Sequence, residues 1–244
     1  MPLILNIETA TSVCSVALSH MGKPVACKET SSKNAHSAVL TTFIEELFGE
    51  AKLTLSDLDA VAVSMGPGSY TGLRIGVATA KGLCYALGKP MIAVSTLQSM
   101  AAGIGSDPRF SFSPTQAGKI SGTLPHLICP MIDARRMEVY CALYTPDLIE
   151  TREVRAEIID ENSFAEFLAA NSIIFAGEGA SKCKNVLLHH KNALFMDDFE
   201  GSANHMIPLS EKKFSNREFE DIACFEPFYL KDFVAGKPRV KGLV

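Results

Sequence analysis

No two of the seven cysteines, at positions 14, 27, 84, 129, 141, 183 and 224, have the close C-x-x-C spacing of zinc or thiol redox sites, and several lie inside apolar runs. They read as buried free thiols of a reducing compartment. No apolar stretch reaches membrane-spanning length, no basic segment precedes the first apolar run, and Glu8 falls within that run. A cytoplasmic protein without membrane contact is expected. A basic excess is missing too: the formal net charge is -4, which excludes a surface that grips nucleic acid by phosphate neutralisation alone. Any RNA role needs a partner. The sequence has no H-E-x-x-H helix, no G-x-S-x-G elbow and no local Cys and His signature of nucleophilic catalysis, so a peptidase reading has no candidate residues.

What is present is an ordinary globular composition, 47% hydrophobic and 20% charged over 244 residues, enough for one large or two small domains. The most informative stretch is Gly66-Pro67-Gly68-Ser69-Tyr70-Thr71-Gly72-Leu73-Arg74-Ile75-Gly76, a glycine-rich turn that follows the apolar run 58–63 and opens a helix. Ser69 or Thr71 can cap that helix. Gly72, Gly76 and Gly82 together cost it roughly 2 to 3 kcal/mol of helix propensity, so some close approach must offset them. At helical spacing Leu73, Val77, Ala80, Cys84 and Leu87 form one apolar stripe, and Gly72, Gly76, Thr79 and Leu83 form a second, smaller one. Three uses are open: tight packing inside the domain, docking of another protein, or a phosphate loop. The last fails the P-loop pattern, because no Gly-Lys-Ser or Gly-Lys-Thr follows the turn.

Taken in order, strands are predicted at 3–7, 13–18 and 25–29, a helix from Asn34 whose stripe is Val39, Leu40, Phe43, Ile44, Leu47 and Phe48, a strand at 58–63, the glycine-rich helix, and a strand at 91–94. Ser32 or Asn34 is the expected cap, and His36 is given a capping or surface role. Residues 101–124, rich in Gly, Ser, Pro and Thr, read as a long loop between two halves. Strands at 126–132 and 137–144 follow, then a strand near 158–159, a helix at 163–170, a strand at 173–176, a helix to Leu188 and a helical region at 204–224. Lys231, Lys237, Arg239 and Lys241 make the end of the chain locally basic.

Three strands, helix, strand, helix, strand is the order of the actin-like ATPase half-domain. The wording of the motifs is narrower. Leu5-Asn6-Ile7-Glu8-Thr9-Ala10 with Cys14-Ser15-Val16-Ala17-Leu18, the glycine-rich turn, and Gly88-Lys89-Pro90 with Val94-Ser95-Thr96-Leu97 closely resemble the TsaB family, formerly YeaZ, of bacterial tRNA threonylcarbamoyladenosine biosynthesis proteins, related to TsaD and the glycoprotease-like group. The resemblance spans most of residues 1–100. It extends more loosely to Asp133-Ala134-Arg135 with Glu138-Val139-Tyr140, Gly177-Glu178-Gly179-Ala180 and Pro227-Phe228-Tyr229-Leu230.

The resemblance implies an α/β fold of two actin-like, ribonuclease H-like half-domains, each a mixed sheet with flanking helices, at 1–100 and 101–244. It implies a subunit without catalytic residues that binds and activates a TsaD-type threonylcarbamoyltransferase forming N6-threonylcarbamoyladenosine at position 37 of ANN-decoding tRNAs. TsaD-type proteins bind metal through two histidines spaced by four; Thr96 and Met100 stand in those places, a donor set unsuited to a transition metal, so no metal site is expected. A TsaE-type ATPase is a further implied partner and tRNA an indirect one, and the chain alone is expected to pair with itself. Val39, Phe43, Gly72, Gly76 and Leu83 are the expected partner interface. Glu8, Thr9, Gly66, Gly68, Asp133, Arg135, Gly177 and Gly179 are the candidate nucleotide or cleft contacts, with a solvated turn as the other reading of Asp133 and Arg135. No tightly bound cofactor is expected, and ATP with magnesium enters only within the complex. The alternative function is an ATP-dependent phosphotransferase of the same superfamily, using Glu8 and the turn 177–179 on phosphate.

Overall fold

Ten strands fall into two five-stranded sheets in the residues that this computed structural model describes, 2–32, 36–110 and 124–231. The first sheet contains β1 (Leu3–Glu8), β2 (Cys14–His20), β3 (Lys23–Thr30), β4 (Ala60–Gly66) and β5 (Met91–Ser95), in the order β3-β2-β1-β4-β5. β2 runs antiparallel to β1 and β3, while β1, β4 and β5 are parallel. β6 (His126–Asp133), β7 (Glu138–Tyr144), β8 (Glu150–Ile158), β9 (Ser172–Ala176) and β10 (Ala193–Met196) repeat the same order and the same directions in the second sheet. The fold is two actin-like half-domains.

β1 is buried at all six residues, as a central strand covered on both faces must be. Its outer face lies under α1 (His36–Ala51) and α2 (Tyr70–Leu87), where Leu40, Ile44, Leu47, Val77 and Cys84 pack on Leu5, Ile7, Val16 and Val63. Lys28 of β3 pairs with Glu46 at 2.9 Å and Glu50 at 2.7 Å on α1. Such exposed pairs are screened by solvent and orient the helix more than they hold it. Ser69 caps α2 by accepting from the Gly72 N–H at 3.3 Å, and Gly88 ends it at φ 65°. The candidate cap Asn34 and the side chain of His36 lie outside the described residues.

The stretch read as a loop from residue 101 begins instead as helix. α3 (Thr96–Ser106) starts at the Ser95 cap and lies between the two half-domains, with Leu97, Met100, Ala101 and Ile104 against Ile128, Ile132, Ala142 and Ile174. Seven of its residues are buried, and a helix wet on so little of its surface carries no polar face for periodicity to detect. Residues 111–123 of the expected loop are outside the description, as are Lys237, Arg239 and Lys241. β8 is a nine-residue edge strand whose alternating charges hid it, and β10 was not predicted at all. α4 (Ala165–Ala170) and α5 (Glu178–Leu187) complete the outer layer of the second sheet.

The helical region expected at 204–224 is shorter. A 3-10 turn at Ala203–Met206 leads into α6 (Ile207–Asn216), which Arg217 ends at φ 58°. Met206 and Leu209 lie on Ile4, Ala60, Ala62, Ile92 and Val94, and Glu220 bridges to Met91, so this segment lies on the first sheet rather than the second. Ser210 on α6 donates to Asn6 Oδ1 at 2.7 Å, and Asn6 Nδ2 reaches Ser19 Oγ at 3.2 Å, all fully buried or nearly so. Ser210→Ala should lower stability by about 1 to 3 kcal/mol in urea unfolding, because it strands a buried acceptor.

Candidate functional site

The glycine-rich turn is built against the first hairpin. Gly66 ends β4 at φ 112°, the Gly66–Pro67 peptide is cis, and the Ser69 N–H donates to Ala10 O at 2.7 Å before α2 begins. A Cβ at Gly68 would lie 2.3 Å from Ala10 O, one at Gly72 2.0 Å from Thr9 O, and one at Gly76 2.2 Å from Thr9 Oγ1. Thr9 Oγ1 in turn donates to Gly72 O at 2.8 Å. Gly72 and Gly76, the N-terminal part of the small stripe, therefore face the chain's own β1–β2 turn. This corrects the assignment of Gly72 and Gly76 to a docking surface: both are buried, and the close approach that justifies them is intramolecular.

The other three expected interface residues pack on the first half-domain's core. Val39 and Phe43 of α1 and Leu83 and Ile75 of α2 are half-buried and pack against the same apolar cluster. Ala38 of α1 and Ala78, Gly82, Tyr85 and Ala86 of α2 are exposed, and Tyr85 keeps 85% of its surface. Among the described residues nothing lies within 4 Å of the place a Gly82 Cβ would take. The exposed surface of this helix pair thus combines small residues and the Tyr85 ring with Thr41, Thr42, Glu45, Glu46, Glu50 and Arg74.

Between the half-domains runs a cleft of about 830 Å³. Of the predicted contacts, Gly68, Asp133 and Arg135 line it, whereas Glu8, Thr9, Gly66, Gly177 and Gly179 do not. Burial alone would raise the Asp133 carboxyl, but Lys182 and the Arg135 N–H, donating at 2.8 Å, hold it below the usual carboxylate range. Gly177, at φ 100°, leaves 2.5 Å between its missing Cβ and Met131 O, and Gly179 packs on Val139 and Ile132. Both glycines serve helix-on-sheet packing.

Glu8 is fully enclosed, its carboxyl accepting from the Ala10 N–H at 2.6 Å. Burial pushes it up to about 7 despite hydrogen bonds from Ala10, Ser64 and Thr9. Across the cleft Glu178, at the first turn of α5, accepts from both the hydroxyl and the N–H of Ser12, the latter at 3.1 Å. A nucleotide phosphate at this turn would therefore meet the carboxyl of Glu178 and a backbone donor already taken, while Glu8 is enclosed and out of its reach. The residues present do not fit a phosphate or a magnesium ion held by Glu8. On α3, Thr96 Oγ1 accepts from the Gly66 N–H at 3.1 Å and Met100 is in the core beside Gly177. Among the described residues no grouping of His, Cys, Asp and Glu could hold a metal.

Sequence reasoning missed Ser12, Glu178 and the ring pair Tyr70–Tyr229, 4.8 Å apart at the cleft rim. The signal for Glu178 was in view: an acid between the two glycines of a would-be phosphate turn argues against the phosphate.

Comparison with known proteins adds three findings. The family model described as TsaD, tRNA N6-adenosine threonylcarbamoyltransferase, matches residues 28–236. The tRNA threonylcarbamoyladenosine biosynthesis protein TsaB of Escherichia coli (strain K12) is 31% identical over 244 residues, covering 96% of both chains, and that of Bacillus subtilis (strain 168) is 30% identical over 237 residues, covering 93% of both. The solved structure of YeaZ from Pseudomonas aeruginosa superposes with a TM-score of 0.76 at 25% identity, covering 94% of this chain and 100% of that one.

Proposed function

The chain belongs to the TsaB (YeaZ) family of bacterial tRNA threonylcarbamoyladenosine biosynthesis proteins, within the reach of the wider TsaD-type model, and from that membership we propose that it acts as a non-catalytic subunit. It docks on a TsaD-type threonylcarbamoyltransferase and enables it to form N6-threonylcarbamoyladenosine at position 37 of ANN-decoding tRNAs, with a TsaE-type ATPase joining the complex. tRNA contact is indirect, in keeping with the net charge of -4. Its compartment is the cytoplasm, and all seven cysteines are unbridged. Among the described residues no helix is long and apolar enough to cross a membrane.

The observation that carries the reading is the contrast between the two surfaces. In the cleft, the hairpin-turn donor at Ser12 is occupied by the chain's own Glu178, and Glu8 is buried away from it with its carboxyl accepting from the backbone. On α1 and α2, small residues and Tyr85 stand uncovered, a shape that lets a second helix pair approach closely. In isolation the same face serves a homodimer.

The residues to test are those that point outward. Ala78→Arg and Tyr85→Ala should each weaken binding to the purified TsaD-type subunit about thirtyfold in calorimetric titration, the effect of losing one interface hot spot, with the thermal midpoint unchanged. Reconstituted tRNA modification should fall in step. Full affinity in both variants would place the docking surface elsewhere.

A further inference from the structure

The motif Pro227-Phe228-Tyr229-Leu230 has no part in the docking face or the Ser12–Glu178 bond, yet it is tied down at three points on three elements. The Phe228 N–H donates to Met65 O at 2.7 Å, alongside the end of β4. The Tyr229 ring lies 4.8 Å from that of Tyr70, in the first turn of α2. Lys231 then forms an ion pair with Glu138, at the start of β7 in the other half-domain. Residues 227–231 thus cross from one half-domain to the other, and Tyr229, Leu230 and Lys231 form part of the cleft wall.

The crossing is built in at the backbone level. A Cβ on Gly66 would lie 2.5 Å from the Phe228 carbonyl oxygen, and Gly66 also sits at φ 112°, where a side chain is disfavoured. Glycine at this position is what admits the strap. Its hold is nevertheless light. Phe228 and Tyr229 remain 40% and 36% exposed, and the Lys231–Glu138 pair is partly open to solvent. Segments with few buried contacts and exposed hydrogen bonds open first, independently of global unfolding.

We propose that residues 227–231 are a releasable strap across the rim of the interdomain cleft, with the Lys231–Glu138 ion pair as its catch and the Ser12–Glu178 bond as a separate link between the half-domains. Opening the catch frees the strap from Tyr70 and Met65 and exposes the cleft without disturbing either sheet. This holds whether or not α1 and α2 dock a partner.

Hydrogen–deuterium exchange of the full chain tests it. Lys231→Glu and Glu138→Lys should each speed exchange of the amides at 66–70 and 228–230 about threefold to fivefold, and the double variant, which restores an opposite pair, should return it to the starting rate. A chain ending at Glu226 should show a larger increase at 66–70 with the amides of β1 and β6 unchanged. Unaltered exchange in the single variants, or a double variant no slower than they are, would overturn the strap; should the shortened chain fail to fold, the charge swap still decides.

Discussion

Gly72→Ala should lower the stability of the protein by about 3 kcal/mol, while Gly82→Ala, ten residues further along the same helix, should raise it by about 1 kcal/mol. Alanine is the better helix former at both sites, so propensity predicts the same gain twice. The surroundings decide the sign. At Gly72 the new methyl would sit 2.0 Å from the Thr9 carbonyl oxygen, a backbone atom that cannot swing away, and the β1–β2 turn must shift against the N-terminus of α2. At Gly82 none of the described residues comes within 4 Å of the new methyl. Urea unfolding of the two variants beside the native chain checks both halves, and a neutral Gly72→Ala would show that the hairpin yields. By the same reasoning Gly76→Arg reports on folding, since its side chain would have to displace Thr9.

Glu8 should make the protein lose stability as pH rises from about 4.5 to about 7. Below 4.5 both folded and unfolded chains hold the proton; between the two values the unfolded chain has released it and the buried carboxyl has not, so the folded state falls behind. Above about 7 the whole difference persists, roughly 3 kcal/mol for a shift of this size. His126 and His205, whose ring pKa burial lowers, act in the opposite direction below 6.5, and Asp107 and Asp133, held below 3.8, do so at still lower pH. The decisive quantity is therefore the difference between the native chain and Glu8→Gln. That variant should be the more stable at pH 8, and its advantage should shrink to nothing near pH 4. An advantage that does not change with pH would mean that Glu8 ionises as it does in the unfolded chain.

The first sheet was readable because its strands alternate with amphipathic helices and punctuated turns: the run before Gly66, the Ser69 cap and the stripe Leu73, Val77, Ala80 and Cys84 all fall where their chemistry places them. α3 was not readable, being buried by two half-domains at once, and β8 presented charges where a strand was sought in apolar residues. The docking residues divide for a related reason. A stripe of glycines marks a close approach without saying what approaches, and for Gly72 and Gly76 it is Thr9 of the same chain. Gly68, Asp133 and Arg135 line the cleft, but the bond that spans it joins residues 166 apart in sequence, a separation that no local pattern reports.

The return of α6 to the first sheet sets a timetable for synthesis. Ile4, Ala60, Ala62, Ile92 and Val94 present an apolar face that Met206 and Leu209 cover. A ribosome has made every strand of that sheet by residue 95, yet more than a hundred further residues must emerge before the covering segment exists. During that interval the nascent first half-domain carries a sticky, unfinished side. It is a natural target for chaperones and the point at which truncated or stalled chains should aggregate.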